Sequence, residues 1–205
     1  MRERLILILL YLISLSLLSC SKEIDTTTLK EGDIIFQESV SRQSAAIQLA
    51  THSRYSHMGI IFKQGDYYLV LEAVQPVKFT PLDEWINRGK RRHYVVKRLK
   101  DTILDSIVIN KMKATGEQMV GKKYDIYFGW SDERIYCSEL VWKIYNEALG
   151  IEIGPLKKMK DFDLTHERVK EIMEKRYGKN IPLDETVVSP GDIFDSDKLV
   201  TIEED

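Results

Sequence analysis

Cysteine is scarce in this chain, with two copies among 205 residues. Cys20 ends an apolar N-terminal run, and Cys137 lies in the segment Tyr136-Cys137-Ser138-Glu139. If Cys20 carries a membrane anchor, Cys137 is the only thiol left in the mature chain. A single thiol excludes an internal disulfide and is too few for a cysteine-rich zinc site. Cys137 is therefore either a small buried hydrophobic residue or a nucleophile.

The chain also lacks an excess of either charge, since 30 Lys and Arg balance 32 Asp and Glu to a formal net charge of −2. A strong basic surplus is the usual mark of nucleic-acid binding, so we expect no nucleic-acid partner. The basic runs at 88–92 and 157–160 are interpreted as solvated surface, with anionic lipid or cell-wall material as the alternative contact. The sequence has no HExxH, cysteine pair or glycine-rich phosphate loop, so we expect no metal and no cofactor.

The long hydrophobic run of the sequence lies at its N-terminus. Arg2 and Arg4 precede the apolar stretch from Leu5 to Leu18. This stretch is shorter than the roughly 20 apolar residues that span a bilayer, and it is typical of a secretory signal. The tetrapeptide 17–20 resembles a bacterial lipobox, in which the cysteine becomes the lipidated first residue of the mature chain.

These features predict an exported, membrane-anchored lipoprotein in the periplasm or at the cell surface. The predicted organisation is a lipoprotein signal peptide over 1–19, a lipidated tether over 20–29 that begins at Cys20, and one catalytic domain over 30–205. An uncleaved anchor, or an ordinary signal with a chance cysteine, is the alternative.

Short β-rich segments fill the first half of the chain, and helical patterns fill most of the second. Strands are predicted over 34–37, 57–62, 67–74, 77–80 and 93–99. Helices are predicted over 41–51, 103–120, 137–149 and 164–177, with a further helix that starts near Pro81 and is capped by Asp83. The segment 189–194 is expected to end the fold. The pattern predicts an α+β fold in which helices pack on a small antiparallel sheet.

A cysteine nucleophile needs a stabilised thiolate, a base and a group that orients the base. Cys137 is predicted to begin a helix, where free N–H groups and the helix dipole favour an anion. Its own backbone N–H could stabilise an oxyanion. The base is expected among the four histidines. His57 is best placed because it opens a predicted strand, whereas His52, His93 and His166 lie in segments typical of the surface.

The orienting group follows from the predicted hairpin. If Gln64 and Gly65 form a two-residue turn, His57 lies directly opposite Glu72, with both side chains on the same face of the sheet. A shift of register by two residues would leave Glu72 as a diagonal neighbour of His57. Glu72 is also unusual because its strand is otherwise apolar. The alternative is a Glu72 that points to solvent.

Five short motifs together resemble those of the YiiX/YebB-like group, the circularly permuted branch of the NlpC-type papain-like superfamily. The motifs are 32–36 (Gly-Asp-Ile-Ile-Phe), 55–60 (Tyr-Ser-His-Met-Gly-Ile), 71–73 (Leu-Glu-Ala), 121–125 (Gly-Lys-Lys-Tyr-Asp) and 136–141 (Tyr-Cys-Ser-Glu-Leu-Val). The order of histidine, then glutamate, then cysteine is the one that permutation requires. The resemblance implies a permuted papain-like fold and a catalytic triad of Cys137, His57 and Glu72.

The resemblance also implies a cysteine amidase or peptidase that cleaves an amide bond in cell-wall peptides or lipid-linked substrates. Tyr55 and Tyr124 are expected to contact the substrate. Two alternatives stay open: a lipid acyl hydrolase or acyltransferase, and a binding lipoprotein without catalytic activity. The aromatic-rich loop 124–136 would suit an apolar substrate, although aromatic clusters more often belong to a core.

Overall fold

A six-stranded antiparallel sheet forms the centre of the computed structural model, which describes residues 24–205. Its strands lie in the order β10-β5-β1-β2-β3-β4, where the ranges are β1 (Ile34–Ser39), β2 (His57–Gln64), β3 (Tyr67–Glu72), β4 (Lys78–Pro81), β5 (Gly89–Leu99) and β10 (Leu199–Glu204). Four short strands form two further ladders: β6 (Lys123–Tyr124) with β7 (Arg134–Ile135), and β8 (Lys157–Lys158) with β9 (Thr186–Val187).

Six helices and one 3₁₀ turn (Met159–Asp161) accompany the strands in the described part of the chain. The helices are α1 (Arg42–Thr51), α2 (Leu82–Asn87), α3 (Ser106–Glu117), α4 (Cys137–Leu149), α5 (Glu167–Tyr177) and α6 (Pro190–Phe194). Side chains that accept a hydrogen bond from a first-turn N–H fix several helix starts, as Ser41 does for α1 and Asp105 for α3. Gly150 ends α4 with a φ of 71°, a conformation that glycine adopts without steric cost.

The sheet is buried on both faces, and this explains why its central strands are apolar at consecutive positions. Ile34 and Phe36 face the larger core, which α3 and α4 complete. Ile35, on the other face, packs in a second core with Trp85 and Ile86 of α2. The sheet is therefore the middle layer of the domain.

Helix α3 approaches the sheet closely at Gly116. A Cβ atom there would lie 2.3 Å from the Leu71 side chain, so a larger residue would push α3 away from β3. Helix α4 packs against both α3 and β2. This arrangement places the first turn of α4 beside the start of β2, where His57 lies.

The predicted α+β class is confirmed, whereas several predicted boundaries are wrong. The fold does not end at residue 194, because β10 follows and pairs with β5 at the sheet edge. Pro81 rather than Asp83 is the N-cap residue of α2, since Leu82 already begins the helix. Helix α3 begins at Ser106 rather than at 103, because Asp105 caps it and Ile103 lies in solvent, 94% exposed.

The predicted signal peptide and Cys20 lie outside the described residues. Within residues 24–205, no helix is long and apolar enough to span a membrane.

Candidate active site

Cys137 is the first residue of α4 and is almost fully buried. Two hydrogen bonds fix the helix start around it. The backbone N–H of Tyr136 donates to the Glu139 carboxylate at 3.3 Å, and Ser138 Oγ donates to the carbonyl of Val188 at 2.8 Å. The thiol therefore sits at the positive end of the α4 dipole, the position that the sequence predicts.

His57 connects the thiol to a buried carboxylate. Its Nε2 lies 2.6 Å from Glu72 Oε2, and the Cys137 side chain lies close enough to the same imidazole to raise its pKa. Because Nε2 is engaged by Glu72, Nδ1 is the nitrogen left for the sulfur. The structure thus brings the three residues together in the order Cys137, His57, Glu72, the arrangement in which a carboxylate orients a base toward a nucleophile.

Glu72 is completely buried and accepts three hydrogen bonds. One oxygen accepts from His57, and the other accepts from Thr80 Oγ1 at 2.6 Å and from the guanidinium of Arg88. Three donors on one buried carboxylate satisfy both of its oxygens and hold its orientation.

The pKa values of His57 and Glu72 show how strongly each side chain affects the ionisation of the other. Burial alone would lower the pKa of His57, but hydrogen bonds and negative charge from Cys137 and Glu72 outweigh it and raise this pKa from 6.5 to about 9. Burial would raise the pKa of Glu72, yet the contacts with His57, Thr80 and Arg88 lower it to about 2. The imidazole is therefore protonated and the carboxylate ionised at neutral pH.

The hairpin that joins His57 to Glu72 has a different register from the predicted one. Gln64 pairs with Tyr67, so the turn consists of Gly65 and Asp66 rather than Gln64 and Gly65. Gly65 takes the positive φ of 60° that this turn requires. The shift is by two residues, which preserves the face of the sheet, and Glu72 reaches His57 as a diagonal neighbour.

The segment from β4 to the end of α2 supplies three contacts that the sequence analysis missed. Thr80 and Arg88 bind Glu72, and the indole of Trp85 stacks on the His57 ring. Arg88 is partly exposed, as the interpretation of its run as solvated surface expects, but its guanidinium also pairs with the buried Glu72, which that interpretation missed. A buried glutamate requires a cation or several donors nearby, and this requirement was the available signal.

The two tyrosines expected at the substrate lie in different surroundings. Tyr124 hydrogen-bonds to Gln43 at 3.0 Å, and burial together with the charge of nearby Cys137 raises its pKa. Tyr55 packs on Phe194, with ring centroids 4.0 Å apart, and on Phe36. Tyr124 is thus close to the thiol, whereas the ring contacts of Tyr55 are those of a core residue.

The remaining histidines have contacts of their own. His52 is the C-cap residue of α1 and its side chain is 74% exposed. Its Nε2 lies 3.4 Å from Asp163 Oδ2. His166 caps α5 by accepting from the N–H of Arg168, and His93 packs near Tyr55. Each of the three is therefore engaged away from the Cys137 thiol.

An apolar cavity of about 80 Å³ opens beside Cys137. Its walls come mainly from α1, α5 and the segments 159–164 and 187–190, and only Phe128 and Tyr136 of the aromatic-rich loop contribute. Most of the tyrosines and tryptophans of that loop therefore lie elsewhere. Sequence reasoning could not find this cavity because its walls are distant in the chain.

A second depression adjoins the cavity and is basic. This groove, of about 740 Å³, runs between α1 and α5 and includes Arg42, Arg168, Lys175 and Arg176. Glu171 is the one acidic residue among its lining side chains. The thiol therefore lines an apolar cavity that shares Gln43, Ile172 and Arg176 with a neighbouring basic groove.

The chain matches the family model described as a permuted papain-like amidase enzyme, YaeF/YiiX, C92 family, over residues 28–203. It is 50% identical over 171 residues to the uncharacterized protein YiiX of Escherichia coli strain K12, a match that covers 83% of this chain and 84% of that protein.

A crystal structure of YiiX from Escherichia coli O157:H7, described as a metalloprotein, is similar with a TM-score of 0.84 and 48% identity. The match covers 87% of this chain and 98% of that one. Within residues 24–205 of the present chain, no three His, Cys, Asp or Glu side chains are grouped to hold a metal ion. From the extent of the family match and this similarity, the chain belongs to the permuted papain-like amidase family YaeF/YiiX, which supports an activity of the cysteine-hydrolase type.

Proposed function

We propose that the protein is a cysteine amidase that uses Cys137 as nucleophile, His57 as general acid and base, and Glu72 to orient His57. The observation that carries this proposal is the position of His57, which is hydrogen-bonded to the Glu72 carboxylate and lies close enough to Cys137 for that side chain to raise the pKa of the imidazole. The thiol also faces a cavity rather than closed core, so a substrate can reach it.

The proposed reaction has two halves. The Cys137 thiolate attacks the amide carbonyl carbon, and first-turn N–H groups of α4 stabilise the oxyanion. The protonated His57 gives its proton to the leaving nitrogen, the C–N bond breaks, and an amine departs from a thioester. His57 then takes a proton from water, and the hydroxide attacks the thioester to release a carboxylic acid and the thiolate.

The substrate is proposed to be an amide in a cell-wall peptide or a lipid-linked molecule. The walls of the cavity beside Cys137 support the second class, because most of the residues that line it are apolar. The same walls favour acyl transfer as a second candidate function. In that case an acceptor alcohol or amine takes the place of water in the second half of the reaction.

The test of the catalytic role is amine release from a panel of peptide and N-acyl amides. Cys137→Ser should lower the rate by about 10³-fold or more, because it removes the covalent step. His52→Ala changes an exposed histidine and should leave the rate unaltered. Equal amine release by Cys137→Ser and the unmodified protein would contradict the proposal, and the binding-lipoprotein alternative would then lead.

We also propose that Cys20 carries the lipid that anchors the protein outside the cytoplasm. The lipobox-like tetrapeptide 17–20 after a short apolar run supports this. Mass spectrometry of the membrane fraction should find an acylated N-terminus at Cys20, and Cys20→Ser should give an unprocessed or mislocalised form. A mature N-terminus beyond residue 20 with no acyl mass would overturn the anchor without affecting the catalytic proposal.

A further inference from the structure

The ammonium group of Lys143 is buried between helix α4 and the loop 125–133, which joins β6 to β7. Its Nζ lies 2.8 Å from Glu139 Oε1, one helical turn back along α4. The same Nζ donates to the carbonyl of Ser131 at 2.9 Å and to Asp132 Oδ1 at 2.8 Å. It also lies 5.1 Å from the centre of the Trp130 ring. An ammonium has three N–H donors, and three oxygens surround this one, so its position is fixed.

Glu139 extends this contact to the residue before the nucleophile. Its side chain is fully buried, and its Oε2 accepts from the backbone N–H of Tyr136 at 3.3 Å. Tyr136 is the N-cap residue of α4, and the next peptide group carries the N–H of Cys137. The Glu139 carboxylate therefore holds the backbone directly before the N–H group that the proposed reaction uses to stabilise the oxyanion.

We propose, resting on the proposed amidase function, that Glu139 and Lys143 are positioning residues for the oxyanion-binding N–H groups at the start of α4. An ionised Glu139 accepts a charge-assisted hydrogen bond from Tyr136, which is stronger than the bond that a neutral carboxyl accepts. Lys143 favours the ionised form by placing a positive charge against the carboxylate. Neither side chain lines the cavity beside Cys137, so both act through the backbone of the helix start.

The ionisation of Glu139 changes close to neutral pH. Burial raises the pKa of Glu139 to about 7, although Lys143 and the N–H of Tyr136 lower it, and the negative charge of Asp125 adds to the rise. Tyr136 and Cys137 are the other titratable groups at this helix start. Burial holds the pKa of Tyr136 well above its usual range, so the phenol stays neutral. The N–H groups should therefore be held more firmly above pH 7 than below it.

A buried ion pair does not by itself indicate a positioning role. Removal of one partner leaves an uncompensated buried charge, which destabilises a protein whatever the pair does. The double change Lys143→Met with Glu139→Gln removes both charges and leaves an amide oxygen that can accept from the N–H of Tyr136. This variant separates the effect on the helix start from the cost of an unpaired charge.

Two reactions of Cys137 isolate the oxyanion step. With p-nitrophenyl acetate the sulfur bonds to the acetyl carbon through a tetrahedral oxyanion, and p-nitrophenolate leaves. With iodoacetamide the sulfur displaces iodide directly, and no oxyanion forms. Both reactions consume the thiolate, so the ratio of the acylation rate to the alkylation rate cancels the ionised fraction of the thiol. In the unmodified protein this ratio should rise about fivefold or more between pH 6 and pH 8, with its midpoint near the pKa of Glu139.

Variants of the pair should change this profile in different ways. Lys143→Met should raise the pKa of Glu139 to about 8 or higher, because a nearby opposite charge lowers the pKa of a carboxyl. The rise then moves to higher pH, and the ratio at pH 7 falls about fivefold. Glu139→Gln and the double variant should give a ratio that does not change with pH, and the double variant should exceed Lys143→Met at pH 7. Lys111→Met and Glu147→Gln are the matched exposed controls and should keep the profile of the unmodified protein.

A ratio that is independent of pH in the unmodified protein, or unaltered in Lys143→Met, would overturn this inference. An equal loss in Lys143→Met and in the double variant would also overturn it, because the charge on Glu139 would then have no part in the effect. Failure of the amidase proposal has a different signature. Release of p-nitrophenolate would then be the same in Cys137→Ser as in the unmodified protein, and both proposals would fall.

Discussion

The indole of Trp85 lies against the imidazole of His57, with ring centroids 5.8 Å apart and ring planes inclined by 24°. Trp85 is fully buried in the core on one face of the sheet, so its position is fixed by packing. The stacked ring limits rotation of the imidazole, while the hydrogen bond to Glu72 fixes its tilt. The two contacts together direct one edge of His57 toward Cys137.

Replacement of Trp85 by phenylalanine should reduce kcat more than it changes KM. The smaller ring keeps an apolar neighbour but leaves space in which the imidazole can turn, and misplacement of about 1 Å can cost about 100-fold in rate. We expect a fall of about 10-fold in kcat, measured as amine release. Trp130→Phe is the matched control, because Trp130 packs on Trp142 instead. A loss of thermal stability with kcat unaltered would show that Trp85 is only structural.

Removal of the Arg88 cation should alter the pH profile of the reaction. Arg88 is one of the groups that lower the pKa of Glu72, so Arg88→Met should raise that pKa from about 2. The acid limb of the profile should then move to higher pH, while activity near pH 7 falls severalfold. Arg91→Met, an exposed change in the same basic run, should leave the limb in place. An unmoved acid limb in Arg88→Met would argue against a positioning role for Arg88.

The raised pKa of His57 predicts a loss of stability at alkaline pH. The folded protein holds the imidazole proton up to about pH 9, whereas the unfolded chain releases it near pH 6.5. The stabilisation is therefore complete below pH 6.5 and disappears as the pH rises through 9, by up to about 3 kcal/mol in the free energy of unfolding. Glu72 acts in the opposite direction, because its lowered pKa gives a stabilisation that is lost as the pH falls below 4.5 toward 2.

Urea unfolding between pH 5 and pH 9 measures this dependence. The free energy of unfolding should fall from pH 6.5 to pH 9 in the unmodified protein, and His57→Gln should remove much of the slope. His52→Ala is the control, since its side chain is largely exposed. The same slope in His57→Gln would contradict the raised pKa of His57.

Local sequence chemistry was enough to identify the elements around the site. The segment that begins with Tyr136-Cys137-Ser138 predicts the first turn of a helix, and α4 begins at Cys137. The sequence correctly predicts that His57 and Glu72 share a face of the sheet, although it misplaces the turn. Side chains alternate along a strand, and the register differs from the predicted one by an even number of residues. Periodicity thus predicts which side chains share a face, even where it misplaces their partners.

Contacts between distant segments could not be predicted in the same way. Arg88 lies in a run of basic residues that has the composition of an exposed surface, and only the fold brings it to Glu72. Strand β10 has the sequence Leu-Val-Thr-Ile-Glu-Glu, which does not alternate between polar and apolar residues, and its pairing with β5 depends on a free sheet edge. The cavity beside Cys137 likewise requires α1 and α5 to meet.

The reactivity of Cys137 with iodoacetamide separates a catalytic thiol from a structural one. An ordinary thiol has a pKa of about 8.5 and is almost entirely protonated at pH 6, so its alkylation there is slow. The raised pKa of His57 keeps its imidazole protonated over this range, and a cation beside Cys137 is the feature that distinguishes a catalytic cysteine. We therefore expect alkylation of Cys137 to remain fast at about pH 6, with peptide mass spectrometry to distinguish it from Cys20.

Variants of His57 and Glu72 should slow the alkylation of Cys137 to different extents. His57→Ala should slow alkylation at pH 6 by about tenfold or more, because it removes the cation beside the sulfur. Glu72→Gln should slow it less, since the imidazole remains but is held less firmly. His52→Ala should change little. Reactivity that follows an ordinary thiol and does not change in His57→Ala would make Cys137 a buried structural residue, and the binding-lipoprotein alternative would then lead.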